Sequence, residues 1–224
     1  MTSTLDKKVL RRLASGFDSH LGREYLYGPL LSAAMAGRDD DALRLIMTIA
    51  LKDGVSRKTI NEIILQSHLF LGFPAMIEAS RTLAELTRPN DNRRQLPKPY
   101  RAVECRDWNS QGMLRIRRIY GDAFERLVPY INSFSPQILT WMVNDGYGRV
   151  LSRSGAAFRL RELSVVATLT VTAYANQLKA HIRGALNFQV TPELLASTID
   201  NCGYFCSTAK VKTARNLVKR ALET

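Results

Sequence analysis

Residues Arg161 to Val190 read RELSVVATLTVTAYANQLKAHIRGALNFQV, and this stretch decides the fold. Its first part is apolar without strand-like alternation, the pattern of a buried helix. Asn176 can cap a second helix, running from near Gln177 to near Asn187. Gln177 and His181 are four apart and share one face of that helix. Glu162 precedes His181 by 19 residues, which is about 28 Å along one straight helix. The two can meet only if the chain folds back between Ala173 and Asn176. A carboxylate bonded to one imidazole nitrogen would then fix the tautomer and raise the basicity of the other nitrogen. Gln177, one turn away, could hydrogen-bond a substrate oxygen. A histidine on a helix with a distant glutamate is also a common structural arrangement, so the spacing alone marks a candidate only.

Working outward, Leu43, Ile46, Met47 and Ala50 fall at i, i+3, i+4 and i+7, and Ile60, Ile63 and Ile64 resume the pattern after a break. Strand-like alternation is rare and no hairpin signal appears, so the chain is expected to be all-α. A longer periodicity follows. Residues 51–86, LKDGVSRKTINEIILQSHLFLGFPAMIEASRTLAEL, lie over residues 186–221, LNFQVTPELLASTIDNCGYFCSTAKVKTARNLVKRA, at a constant offset of 135. Ser56 and Thr191 suit helix N-caps, and Glu62 and Glu193 sit early in the helices that follow. We read two tandem copies of one helical unit: residues 1–86, a basic linker 87–111, and residues 112–224.

Composition is that of a globular protein. The 224 residues are 46% hydrophobic, with 13 Gly and 8 Pro. No apolar run approaches the roughly 18 to 20 residues of a membrane span, and residues 1–16 lack a secretory apolar stretch. Three cysteines do not make a disulfide framework, so the expected compartment is a reducing cytoplasm. The net charge of +12 invites a nucleic-acid reading. By segment, however, residues 1–12 carry +3, residues 87–120 carry +6 and residues 210–224 carry +4, while the rest is close to neutral. The middle stretch, TRPNDNRRQLPKPYRAVECRDWNS, holds three Pro and little periodicity, as a linker does. Nucleic acid is therefore set aside as the default partner. A basic linker near a site entrance could instead draw in a small carboxylate.

With these residues in hand, the sequence resembles the carboxymuconolactone decarboxylase family of the alkylhydroperoxidase-like superfamily. The matching text is Tyr120-Gly121, Tyr147-Gly148-Arg149-Val150, Arg161-Glu162-Leu163, Gln177-Leu178 with His181, Ala185-Leu186-Asn187 and Val190-Thr191. It covers about residues 112–224, and residues 28–86 match more weakly through Gly54-Val55-Ser56 and the segment from Gln66 to Gly72-Phe73-Pro74. The resemblance implies an alkylhydroperoxidase-like all-α fold that self-associates, a trimer of duplicated chains standing in for a hexamer. It implies no metal and no organic cofactor, and a substrate that is a lactone carrying carboxylates.

The superfamily's peroxidase branch uses a Cys-x-x-Cys pair, whose places Tyr174 and Gln177 occupy here, so dithiol peroxidase activity is not expected. The candidate catalytic residues are His181, as proton donor or base, and Glu162, which orients it. Gln177, Tyr174 and Arg183 are candidate substrate contacts, although Arg183, two residues past His181, points elsewhere on an ideal helix.

The chain also departs from the family pattern. Gln189 takes the place of a Gly where a left-handed cap is expected, and Ile46 stands at the first copy's equivalent of His181. A composite site could form, with His181 from one copy and the Gln66–His68 helix, including His68, from the other. Alternatively the protein is a non-catalytic ligand-binding or structural oligomer. Asp39-Asp40-Asp41 suits a helix start, Cys202 and Cys206 suit buried small residues, and Trp108 and Trp141 suit packing or linker anchors.

Overall fold

Two helices form the centre, and sequence alone explains why they are enclosed. Segments 25–35 of α2 (Glu24–Gly37) and 160–171 of α8 (Phe158–Thr172) are buried without interruption. A helix with no wet face has to be covered on every side. The two pack against each other, α3 (Asp40–Lys52) and α4 (Arg57–Thr87) lie against α2, and α9 (Ala175–Asn187), α10 (Pro192–Asn201) and α11 (Thr208–Leu222) lie against α8. The structure, a computed structural model, describes residues 5–18, 20–87 and 107–223. Among these there is no strand. Most of the linker, with Cys105, lies outside the described residues.

One hydrophobic cluster runs from Leu10 of α1 (Lys7–Gly16) through Ile46 and Leu163 to Val218, so both halves of the chain share a core. A smaller cluster joins α5 (Trp108–Tyr120) and α6 (Phe124–Asn132) to a π-helical stretch, Met142–Val150, that continues α7 (Pro136–Trp141). There the backbones touch. A Cβ at Gly112 would stand 2.0 Å from the Val143 carbonyl oxygen, and one at Gly148 would stand 2.1 Å from that of Trp108. Only glycine fits at either position.

Helix ends follow the expected chemistry. The Ser56 hydroxyl accepts the Thr59 amide at 3.0 Å, and the Thr191 hydroxyl accepts the Leu194 amide at 3.2 Å. Asp39 accepts the Ala42 amide at 2.9 Å, and Asp40 and Asp41 lie in the first turn behind it. Gln189 has φ 61°, the left-handed cap expected at that place, here adopted by a residue with a side chain. The start of α9 differs from expectation. The helix begins at Ala175, with Tyr174 at its cap position, so Asn176 is already helical. The break falls earlier because Ala173 takes the left-handed conformation, φ 64° and ψ 30°.

Element bounds recur at the offset noted in the sequence. Adding 135 to Asp40–Lys52 gives 175–187, the bounds of α9, and adding it to Glu24–Gly37 gives 159–172, within one residue of α8. The left-handed residues Arg38 and Gly54 map in the same way onto Ala173 and Gln189.

By length and composition α4 could cross a membrane, with an 18-residue window of mean hydropathy 1.2. It is interrupted at Gly72, φ 77° and ψ 173°, and Pro74 opens its second part. Its first part also carries Glu62 and Gln66, both of which are buried and bonded to Arg161. Arg161 Nη2 donates to Glu62 Oε2 and to the Arg153 carbonyl, each at 2.9 Å, and Gln66 Nε2 donates to the Arg161 carbonyl at 3.1 Å. Burial pushes the Arg161 guanidinium down from its usual value, and Glu62 opposes that shift.

This buried pair fixes α4 against α8, and Glu62 also accepts from Arg153 at 3.0–3.2 Å. Removing Arg161 therefore leaves Glu62 paired, whereas removing Glu62 leaves the buried Arg161 charge without its carboxylate. Glu62→Ala is expected to destabilise the fold by about 3–5 kcal/mol, read from the urea midpoint. Replacing Arg161 and Glu62 together by Met and Leu should cost less than Glu62→Ala alone. Equal loss in both variants would contradict this account.

Candidate active site

The turn at Ala173 brings the two sequence candidates together. His181 Nδ1 lies 2.9 Å from Glu162 Oε2, with Glu162 0% and His181 3% exposed. The left-handed Ala173 ends α8 by donating its amide to the Leu169 carbonyl at 2.9 Å, and α9 then returns along α8. Gly184, three residues past His181, leaves room for the carboxylate, since a Cβ there would stand 2.8 Å from Glu162 Oε2. Glu162 Oε1 is buried and has no hydrogen-bond donor among the described residues. With Nδ1 held by the glutamate, Nε2 is the histidine nitrogen left for a ligand.

His181 lines a cavity of about 470 Å³ with Gln177 and Tyr174. Tyr174 is 62% exposed and Gln177 is also exposed, which sets both at the rim. The other walls come from α4 (Leu69, Phe70), the end of α5 (Tyr120), and α7 with its π-helical extension (Trp141, Met142, Tyr147). The Phe70 ring meets His181 edge to face at 5.6 Å. Among the described residues no Lys or Arg lines the cavity, and the one acidic residue on it, Asp145, is paired with Arg149 at 3.1 Å. The polar groups available to a ligand are therefore imidazole, carboxamide and phenols.

The remaining candidates lie elsewhere. Arg183 is exposed and not on the cavity wall. His68 faces a second cavity with Phe73, Trp108, Arg149 and Arg153, and its Nδ1 lies 2.6 Å from the Leu65 carbonyl. The first half does reach the His181 cavity, but through Leu69 and Phe70, the residues that follow His68. Trp141 is 63% exposed at the cavity rather than buried as an anchor. Cys202 and Cys206 are buried free thiols, and burial pushes the Cys202 thiol up. Sequence reasoning passed over Phe70, Tyr120 and Tyr147 as site residues. The two tyrosines stood inside the quoted Tyr-Gly motifs, but no sequence rule announces a π-helical turn.

The model of the Carboxymuconolactone decarboxylase family matches residues 137–220. That stretch contains Tyr147, Glu162 and His181, whereas Phe70 and Tyr120 lie outside it. Over 145 residues the chain is 27% identical to a protein of Schizosaccharomyces pombe named Peroxisomal protein 2. The alignment covers 62% of this chain and 64% of that relative, a little under two thirds of its length.

Burial raises the Tyr147 phenol well above its ordinary value, with Tyr120 and Glu162 adding to the shift. Burial also raises Tyr120, its bond from Tyr147 opposes the shift, and Glu162 adds to it. The folded state thus holds these protons more tightly than the unfolded chain, whose phenols ionise near about pH 10. The stability involved is present below that pH and is lost as pH rises beyond it. The urea midpoint should hold steady from about pH 7 to 9 and fall above about pH 10, less steeply in Tyr147→Phe. A midpoint that does not fall would contradict the buried placement.

Proposed function

Starting from the membership of residues 137–220 in the carboxymuconolactone decarboxylase family, we propose that this protein is a cofactor-independent lyase working by acid–base catalysis at His181. The observation that carries the reading is the buried 2.9 Å contact from Glu162 to His181 beside a cavity large enough for a small substrate. Glu162 orients the ring, and Nε2 delivers or removes the proton. The substrate is a small carboxylated molecule. Loss of carbon dioxide disperses the carboxylate's charge, so an apolar wall with no cation among the described residues disfavours the ionised reactant more than the transition state. Gln177 and the phenols supply neutral hydrogen bonds that position it. Arg183, being outside the cavity, is left out of this role.

The repeated element bounds support reading the chain as two copies of one unit, of which the second carries the acid–base pair. At the offset of 135, Tyr27 and Ile46 stand in the first copy where Glu162 and His181 stand in the second. Ile46 cannot transfer a proton, and Tyr27 is bonded to Asp53. Self-association belongs to the same reading, supported by exposed Phe73, Ile77 and Trp141. Sedimentation should then give a mass of at least three chains, and a monomer at micromolar concentration would remove that part. The peroxisome named for the relative joins the cytoplasm expected from cysteine usage as the proposed setting.

Carboxymuconolactone is the substrate to try first, following its loss by absorbance. His181→Ala should lower kcat by at least about 100-fold. Glu162→Gln should lower kcat more than it raises KM, because the wrong tautomer is favoured. Turnover that persists in His181→Ala would overturn the assignment. Binding without turnover in the wild type would favour a non-catalytic, ligand-holding member.

A further inference from the structure

Two phenols on the cavity wall have no part in the Glu162–His181 pair. Tyr120 is the last residue of α5, and Tyr147 lies in the π-helical stretch. The Tyr147 hydroxyl donates toward that of Tyr120 at 3.4 Å, and the rings meet edge to face at 6.5 Å. That separation is long for two hydroxyls. The Tyr120 hydroxyl can therefore turn its own proton toward a ligand without giving up a strong bond.

The placement of both rings is set by the main chain. The backbone contacts at Gly112 and Gly148 lock α5 against the π-helical stretch, and Tyr147 immediately precedes Gly148. Asn187 Nδ2 donates to the Ile119 carbonyl at 2.9 Å, which ties the end of α5 to α9, the helix that carries His181. A π-helical turn also departs from regular helix geometry, as local distortions at functional sites often do. These phenols stay protonated, and so remain donors, because burial and the nearby Glu162 carboxylate both oppose their ionisation.

We propose that Tyr120, backed by Tyr147, is the hydrogen-bond donor that holds the developing oxyanion of the substrate, so that the cavity is a site for enolate- or phenolate-type ligands. This rests on the lyase reading and supplies its missing half. When the bond to the carboxyl carbon breaks, carbon dioxide leaves and the electron pair passes into a conjugated carbonyl, whose oxygen becomes the enolate. The Tyr120 O–H donates a hydrogen bond to that oxygen. Imidazolium Nε2–H of His181 then gives its proton to the carbon, and the neutral ring is reprotonated from solvent. Among the described residues no cation lines the cavity to take this role, and Tyr174 and Gln177 lie at its exposed rim. Tyr147 is a positioning residue, since its ring meets Tyr120 edge to face at 6.5 Å and its hydroxyl faces the Tyr120 oxygen, which leaves the Tyr120 proton for a ligand.

4-Nitrophenol tests this without turnover, because its absorption near 400 nm (a property of the free dye) reports the phenolate. The wild-type protein should bind the phenolate form, with an apparent dye pKa below that in Tyr120→Phe, where burial and Glu162 act on the dye without the donor. Tyr120→Phe should weaken phenolate binding at least about tenfold, and Tyr147→Phe should do so by less. His181→Ala should retain the bound phenolate spectrum. Thermal melts of each variant check that the fold is kept, and if Tyr120→Phe fails to fold, Tyr147→Phe alone carries the comparison. No binding, binding of the neutral phenol only, or equal affinity in both tyrosine variants and wild type would overturn the proposal. The lyase reading stands apart from this result. Dye binding through Tyr120 without carboxymuconolactone turnover would remove the reaction and keep the oxyanion site. Turnover unchanged in Tyr120→Phe would do the reverse.

Discussion

The buried ion pair between Arg161 and Glu62 is the constraint on which the rest of the arrangement depends. Arg161 is 0% exposed and ties α8 to α4 through Glu62 and Gln66. The next residue, Glu162, is equally buried and turns to the other side, where it meets His181 on α9. Consecutive helical residues point about 100° apart, so one dipeptide fixes two neighbouring helices at once. The buried charges near the start of α8 are tolerable because each has a partner. Phe70, on the same helix as Glu62, is thereby brought against His181. The candidate site and the core are held by the same few bonds.

The chemistry available in the cavity follows from what the wall lacks as much as from what it holds. Among the described residues no Lys or Arg lines it, so a charge that develops on a ligand meets their neutral donors and the imidazole. Such a wall discriminates between charge held on a reactant and charge spread in a transition state. Among the described residues, basic groups of α11 are engaged away from this wall, where Arg215 pairs with Asp200 at 2.7 Å and Lys210 donates to the Val171 carbonyl at 2.7 Å.

The stretch from Arg161 to Val190 was legible because its signals are local. Unbroken apolarity specifies a buried helix, and a Glu and a His 19 residues apart require a reversal between them. The reversal falls within the expected Ala173–Asn176 span, and only the start of α9 was placed too late, because the left-handed Ala173 lets the helix begin at Ala175. The cap at residue 189 was legible from its position even though Gln, not Gly, occupies it. His68 was misjudged as a neighbour of the site for a rotational reason. On one helix, successive residues face different directions, and Leu69 and Phe70 take the cavity face that His68 misses.

Helix periodicity, caps and the ordered motifs by themselves determined an all-helical chain, the resemblance to the carboxymuconolactone decarboxylase family, and the Glu162–His181 pairing as the event to look for. Each rests on neighbours within a few turns, where spacing along the chain is spacing in space. Tertiary structure alone decided that Leu69 and Phe70 of the first half help close the cavity. It likewise decided that Tyr120 and Tyr147 meet beside two close backbone contacts at glycine, and that no cation of the described residues lines the cavity. Those facts depend on which helix faces come into contact, and that is settled by the packing of α2, α4 and α8 around one buried arginine rather than by any local sequence signal.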